Sequence, residues 1–582
     1  MILFYLLLTT SLGYFIFNYI NITSRRFQKP IYYKLDDKDY TKNRYSKNKL
    51  PLYIDTIVIG SGIGGLTTAA LLAKSGKKVV VFEQHTIAGG TTHVFEEKGI
   101  EHETGIHYIG NIKKRLPILN LISDKKIEWC ELGSENNSIH KIYDEIIVGD
   151  NHYKFEAGLE NLKYYLIDKF PEEHIGIQEY FKLVTEVSKK DLYFMLKVFP
   201  YRFLSQYIKY IQPSYVKYCE TSAYDVIKEL INDEELISVL CGQMGDYGQT
   251  PKDASFFIHA SIVNHYLDGG WFPKGGPSVI ANNIIKTIEE YNGNVFVGKA
   301  VKSLFIRNNE CIGVIMDDDQ LVYSKNVVSS IGMKNTFNKL LENIEFKEKE
   351  LYDNFLSKCS HSVQHLYTFV KLKGSPKELN LPSSNYWIYP HNDYEKVFDD
   401  FNEDPFEAPM PIFLGFSCAK DSSWNERYPG YSNAILITTV SKKFFDEWEN
   451  KKCTNRGSDY KDLKTIFGKR LIEEGLLKYF PQTKDKIESY NVATPLTTQF
   501  YFNNIDGDSY GIKMDNNKLL NGELCRPKTS IDNLYLTGQD ICTLGFTGAM
   551  MSGVLTANVV LKYDNIVDIC LGNNVIKDLL KK

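Results

Sequence analysis

The residues best spaced to do chemistry lie in two short runs at opposite ends of the chain. Near the start, Gly60-Ser61-Gly62-Ile63-Gly64-Gly65 fits G-x-G-x-x-G. The apolar run Ile57–Ile59 precedes it, and Glu83 ends a second apolar run, Val79–Phe82. In that context the pattern is a dinucleotide site. Gly60 permits the tight turn, Gly62 lets the backbone approach a pyrophosphate, and Gly65 lets helix and strand pack closely. The helix that follows turns free N–H groups and a partial positive charge toward phosphate. Glu83 is placed to accept hydrogen bonds from ribose hydroxyls, and Gln84 continues past it to the pair Gly89-Gly90 and Thr91. Such a pair suits close backbone approach to a cofactor. Near the other end, Leu534–Thr537 stops at Gly538 and reaches an acid, Asp540. The run Thr547-Gly548-Ala549 then opens a helix whose small residues suit a flat ligand. A helix N-terminus there stabilises negative charge, such as that on a reduced flavin ring.

The elements that must hold these residues follow from periodicity. Residues 57–59 and 79–82 read as strands flanking a helix that begins at Leu66, and Gly76 stops that helix. Residues 99–110 alternate like one strand, punctuated by Gly105 and Gly110. From Leu116 to Leu267 the pattern becomes helical and rich in aromatics and lysines, densest over Asp191–Tyr210. The turn cluster Gly269–Pro277 precedes a helix over Ser278–Tyr291 and short strands at 294–297, 301–307 and 312–316. The run 327–332 is a core strand ending in a small-residue turn, and residues 335–489 are mixed.

At 582 residues the chain is too long for one compact core, so two intertwined domains are expected. A net charge of −4 carries no nucleic-acid signal. Ten scattered cysteines contain no C-x-x-C, which implies neither a metal site nor a disulfide framework. Met1–Ile20 is apolar and long enough to span a bilayer as a helix, lacks a basic n-region and is followed by Arg25, Arg26 and Lys29. It reads as a membrane anchor or signal segment, and an endoplasmic reticulum membrane location is expected. Residues 21–53 read as a polar linker.

The two ends together resemble one family. Val58–Leu66, Glu83–Thr86, Ala88–Gly90, Thr104–Gly110, the 270–277 cluster and the GQDI…GFTGAMMSG run are similar to the FAD-dependent phytoene desaturase and carotenoid isomerase superfamily, in particular its retinol saturase branch. A departure is Thr91-Thr92, where animal members of that branch carry a cysteine pair. The resemblance implies an α/β, two-domain FAD-binding fold of the amine-oxidase and GDI type: Rossmann-like, with a helical and mixed substrate cap and an N-terminal hydrophobic helix. The FAD domain would be discontinuous, from 54–115, 268–334 and 490–570, and the cap would take 116–267 and 335–489. FAD would lie with its pyrophosphate on Gly60, Ser61, Gly62, Gly64 and Gly65, its adenosine ribose on Glu83 and its adenine near Val301. Gly89 and Gly90 would flank the flavin side, Gly538 and Asp540 the ribityl or pyrophosphate, and Thr547, Gly548 and Ala549 the ring.

The implied activity is saturation of a C=C bond of a retinoid-like polyene, all-trans-retinol to 13,14-dihydroretinol. Reduced flavin gives a hydride to one carbon, and an acid protonates the other. Candidate acids are His107 and Tyr247, with Tyr108 beside the first. No second G-x-G-x-x-G is evident, so electrons would come from NAD or NADP bound transiently, or from a reductase partner. The other expected partners are an apolar polyene or lipid and a membrane. The competing readings are a carotenoid desaturase or isomerase and, in another class, a lipid-binding escort of the Rab GDP-dissociation-inhibitor type.

Overall fold

Thr56–Ile59 is β-branched throughout and forms strand β1; Val79–Phe82 forms β2, and between them helix α1 spans Ile63–Lys74. Every residue of both strands is buried, as expected for a parallel sheet covered on two faces. This is a computed structural model, and it describes residue 31 and residues 38–124, 126–134, 140–190, 192–198 and 202–562. The expected anchor at 1–20 lies outside the described residues; among the described residues no helix is long and apolar enough to cross a membrane.

Three remote segments complete the sheet: β3 (Asn294–Phe296), β4 (Asn326–Ser329) and β5 (Leu534–Leu536), all parallel, in the order β3-β2-β1-β4-β5. The helix Gly545–Val560, the last among the described residues, packs tightly on α1. A Cβ on Gly553 would sit 2.6 Å from the Gly64 carbonyl oxygen, so only glycine fits there. Thr68 uses the closeness, its hydroxyl 2.9 Å from the Gly64 carbonyl and 3.3 Å from that of Gly553.

A second sheet of seven strands faces the first body. Its order is Ile487–Ala493, His365–Lys373, Tyr431–Thr439, Ile412–Gly415, Asn385–Tyr389, Ile142–Val148 and Asn151–Glu156. All neighbours are antiparallel except Asn385–Tyr389 with Ile142–Val148. Strand alternation divides its side chains. His365, Tyr367 and Phe369 face a cavity, while Leu366, Val370 and Leu372 join a core that includes Phe467 and Leu471 of the helix Ser458–Leu471. The helices between residues 159 and 266 close the cavity from another side, with Phe257, Ile258 and Ile262 of the helix Phe256–Tyr266 on its wall.

Two expectations need correction. Residues 116–267 are not purely helical, because Ile142–Val148 and Asn151–Glu156 form a hairpin that extends the seven-stranded sheet. Residues 99–110 are not one strand: Ile100–Glu103 and Ile109–Gly110 belong to different small sheets, and 104–108 is a loop. Past the break the Tyr108 ring turns inward and stacks on Tyr266, with centroids 4.4 Å apart.

Candidate functional site

One cavity of about 1190 Å³ runs from the glycine turn after β1 to the inner face of the seven-stranded sheet. At the turn, Gly60 has φ +91°, a conformation that glycine alone adopts without strain. Gly62 opens α1 in extended backbone, φ −62°, and a Cβ built on it meets nothing within 4 Å. Its α-carbon therefore borders open cavity. Gly65 does the opposite: a Cβ there would run into the Gly60 carbonyl oxygen and lie 3.0 Å from the Ser330 Cβ. Gly64 does both, since it lines the cavity and a Cβ on it would meet the Gly538 nitrogen at 2.9 Å.

Ser61 ties this turn to the acid after β2. Glu83 Oε2 accepts from the Ser61 backbone N–H at 3.0 Å and its hydroxyl at 2.7 Å, and Oε1 accepts from the His85 N–H at 2.8 Å. Ser61 Oγ in turn accepts from the Gly89 N–H at 2.9 Å. Glu83 lines the cavity with lone pairs remaining. Gln84, Gly90, Thr91 and Val301 line the same end, but Gly89 does not; its φ of +127° serves the bend that brings its N–H to Ser61.

The C-terminal residues close this end. Gly538, Asp540, Thr547, Gly548 and Ala549 all line the cavity. Asp540 uses both carboxylate oxygens on the protein, accepting from the Met333 N–H at 2.8 Å and the Ile512 N–H at 3.0 Å. It fixes the loops after β4 and before β5 against each other. Thr547 Oγ1 is buried without a hydrogen-bond partner.

At the far end the walls are aromatic, with Trp387, Phe413, Phe369 and Tyr510 beside His107, Tyr108, Asp246 and Tyr266. His107 lines the cavity, its Nδ1 3.5 Å from Glu103 Oε1. Burial pushes the Glu103 carboxyl up, but His107 and Lys420 outweigh it and hold the group down at about 2. Lys420 is itself lowered to about 8 by burial and donates to the His107 carbonyl oxygen at 2.9 Å. Burial lowers His265 to about 3 and His365 to about 4, which leaves both cavity-lining imidazoles neutral at pH 7.

Tyr247 requires a correction. It does not line the cavity; its hydroxyl lies 3.3 Å from His259 Nδ1 inside the helical cap, where Tyr180 holds the other ring nitrogen at 2.8 Å. The side chain that reaches the cavity from this turn is its neighbour, Asp246. The Tyr108 hydroxyl sits 2.9 Å from Asp246 Oδ2 and 2.9 Å from Asp144 Oδ2. Asp144 also receives Gln243 Nε2 at 2.7 Å and Asn385 Nδ2 at 2.8 Å. Sequence reasoning passed over both acids, although Asp144 left a trace: it interrupts the strand run Ile142-Tyr143-Asp144-Glu145-Ile146-Ile147-Val148.

Residues 58–119 match the model of an NAD(P)-binding Rossmann-like domain. An all-trans-retinol 13,14-reductase of Danio rerio is 34% identical over 93% of this chain and 91% of its own length. The chain belongs to the all-trans-retinol 13,14-reductase family. A second member from Danio rerio, named inactive all-trans-retinol 13,14-reductase, is 30% identical over 94% of this chain and 93% of its own length. Outside the family, a chloroplastic prolycopene isomerase of Daucus carota is 26% identical over 87% of this chain and 81% of its own. Among solved structures, an oxidoreductase from Methanosarcina mazei superposes with a TM-score of 0.58 at 16% identity, covering 88% of this chain and 99% of that one. A putrescine oxidase double mutant gives 0.59 at 14% identity over 88% and 99%. These two share the fold. The glycine turn, Glu83 and the helix Gly545–Val560 all border the cavity described above.

Proposed function

We propose that this chain is an FAD-dependent oxidoreductase that saturates one C=C bond of a retinoid-like polyene, all-trans-retinol being the first substrate to try. The observation that carries this reading is the continuity of the cavity: a dinucleotide cradle at one end opens directly onto an apolar, aromatic chamber at the other. The residues present fit a flavin dinucleotide. Gly62 leaves its side-chain space to the cavity, the N-terminus of α1 faces that space, and Thr547 carries a buried hydroxyl with no protein partner. Glu83 retains acceptor capacity for a ribose, and the turn at Gly548-Ala549 borders where a planar ring would lie. When bound and reduced, the flavin supplies the hydride equivalent.

The chain's own part is to bind, orient and exclude water. Phe257, Ile262, Trp387 and Phe413 offer the apolar surface that a polyene needs to leave water. Electrons reach the flavin from NADH, NADPH or a partner reductase, and the protein works at the endoplasmic reticulum membrane, where its apolar substrate dissolves. Anaerobic turnover of the flavin-loaded protein with all-trans-retinol, followed by mass spectrometry, tests the reading: a product two hydrogens heavier is expected. A second reading, isomerisation of a carotenoid without net reduction, is favoured by the carrot relative. It gives a product of unchanged mass, so the same assay run on a carotenoid beside all-trans-retinol separates the two.

A further inference from the structure

The Tyr108 hydroxyl has one proton and two carboxyl neighbours, Asp144 Oδ2 and Asp246 Oδ2, each at 2.9 Å. It can donate to only one of them. The other contact is a hydrogen bond only if that carboxyl brings a proton of its own; otherwise two anions would share one buried donor. Asp144 is fixed as the acceptor, because Gln243 Nε2 and Asn385 Nδ2 already donate to it at 2.7 and 2.8 Å. Asn385 is oriented for this by Lys420, whose Nζ donates to its Oδ1 at 2.5 Å. Tyr108 therefore donates to Asp144, and Asp246 donates to Tyr108. Of the two acids only Asp246 lines the cavity.

We propose, building on the polyene-reduction reading, that Asp246 is the proton donor of the reaction, held protonated by the Asp246–Tyr108–Asp144 chain. The C=C bond would lose its π pair and gain two C–H bonds: one carbon would take the hydride equivalent that a bound, reduced flavin supplies, and the other the Asp246 proton. Asp246 is left as a carboxylate and is reprotonated from water before the next turnover. Turning the carboxyl O–H away from Tyr108 delivers the proton to the chamber. The electrostatic surroundings agree. Burial raises Asp246 to about 8 and the Asp144 charge adds to it, against the Tyr108 and Tyr266 hydroxyls, while Asp144 rises to about 6 by burial against the hydrogen bonds it receives. The other groups facing Asp246 are Tyr108, Tyr143, Tyr266, Tyr389 and Tyr510, all raised by burial and neutral at pH 7. A carboxylic acid kept protonated near neutral pH in an apolar site is a competent general acid. Tyr108 and Asp144 act through Asp246 as positioning residues.

The test uses the full flavin-loaded protein and the variants Asp246→Asn, Asp246→Glu and Asp144→Asn. Asp246→Asn should keep flavin content, reduction by dithionite and reoxidation by oxygen at wild-type levels. Its anaerobic reoxidation by the polyene should slow about 100-fold or more. Asp246→Glu should recover part of that rate. In heavy water polyene-dependent reoxidation of the wild type should show a solvent isotope effect, and its size should change in Asp246→Asn. Infrared spectra of the protein at pH 7 should show a protonated-carboxyl stretch that Asp246→Asn removes and that Asp144→Asn weakens, because the Asp144 charge is gone and Tyr108 is then free to donate to Asp246. Polyene-dependent reoxidation within about threefold of wild type in Asp246→Asn overturns the proposal, as does an infrared band that survives in that variant. So does loss of the step in His107→Gln with Asp246→Asn unaffected, which moves the acid to His107. A wild-type protein that reduces no polyene overturns the functional reading and this one together, whereas an active wild type with an active Asp246→Asn overturns this one alone.

Discussion

Gly62 and Gly65 stand one helical turn apart in the same fingerprint, and their substitutions should fail in opposite ways. At Gly62 the backbone is extended and a Cβ meets nothing within 4 Å, so Gly62→Val folds. Its stability cost is that of a poor helix N-cap, up to about 1 kcal/mol. Its side chain, however, enters the space where a pyrophosphate would sit. At Gly65 even one methyl collides with the Gly60 carbonyl and the Ser330 side chain, so Gly65→Ala should cost about 3 kcal/mol, the upper end of overpacking penalties. For 582 residues the unfolding entropy is about 1.2 kcal/mol/K, so that cost lowers Tm by about 2–3 °C. Flavin binding reports on the other axis. FAD at 100 times its Kd stabilises by about 2.7 kcal/mol, an upward shift of about 2 °C. Differential scanning calorimetry with and without FAD, together with flavin absorbance after desalting, gives both readouts. Wild type and Gly65→Ala should shift upward with FAD, the latter from a lower baseline, while Gly62→Val should start near wild type and not move. Stoichiometric flavin in purified Gly62→Val would refute the assignment of that space to the cofactor.

Thr547→Val removes a buried hydroxyl that has no protein partner. The flavin-free protein should therefore gain about 1 kcal/mol in denaturant unfolding, while FAD affinity by fluorescence titration falls about tenfold. Glu103 is held at about 2 against an unperturbed 4.5, so its contribution is complete above pH 4.5 and is lost as pH falls toward 2. Glu103→Gln should accordingly be less stable than wild type by about 3 kcal/mol at pH 7, with the gap closing below pH 4 in pH-resolved thermal melts. Asp246 has the opposite sign. Its folded value of about 8 lies above the unperturbed 3.8, so wild-type stability falls as pH rises from 4 to 8. Asp246→Asn removes that decline, with no gain in Tm near pH 4 and about 2 °C near pH 8, corresponding to on the order of 3 kcal/mol for two carboxyls that titrate together.

What the sequence reveals depends on whether a residue's chemistry is local. The fingerprint is legible because its constraints act within a few residues: Gly60 needs a positive φ, Gly62 open space, and Glu83 the end of the next strand. The parallel order of β1, β2 and β4 follows from the same apolar runs. Even here one local detail escapes, since Ser61 bridges Glu83 to Gly89 and only the folded turn brings those three together. The seven-stranded sheet is less legible because its strands come from three remote stretches, and the hairpin at 142–156 sits inside a region whose composition reads as helix. The acid at the chamber wall is less legible still. Gly245-Asp246-Tyr247-Gly248 looks like an ordinary turn, and the tyrosine in it looks the better chemist. Burial reverses the two. The Tyr247 hydroxyl turns to His259 inside the cap, while Asp246 meets a tyrosine 138 positions earlier in the chain, and that tyrosine is held by Asp144 on the sheet. The proton on Asp246 is thus a property of three carboxyl and hydroxyl groups counted together. No window of sequence contains all three, so the pattern that reveals the cofactor's end of the cavity has no counterpart at the end where the substrate would react.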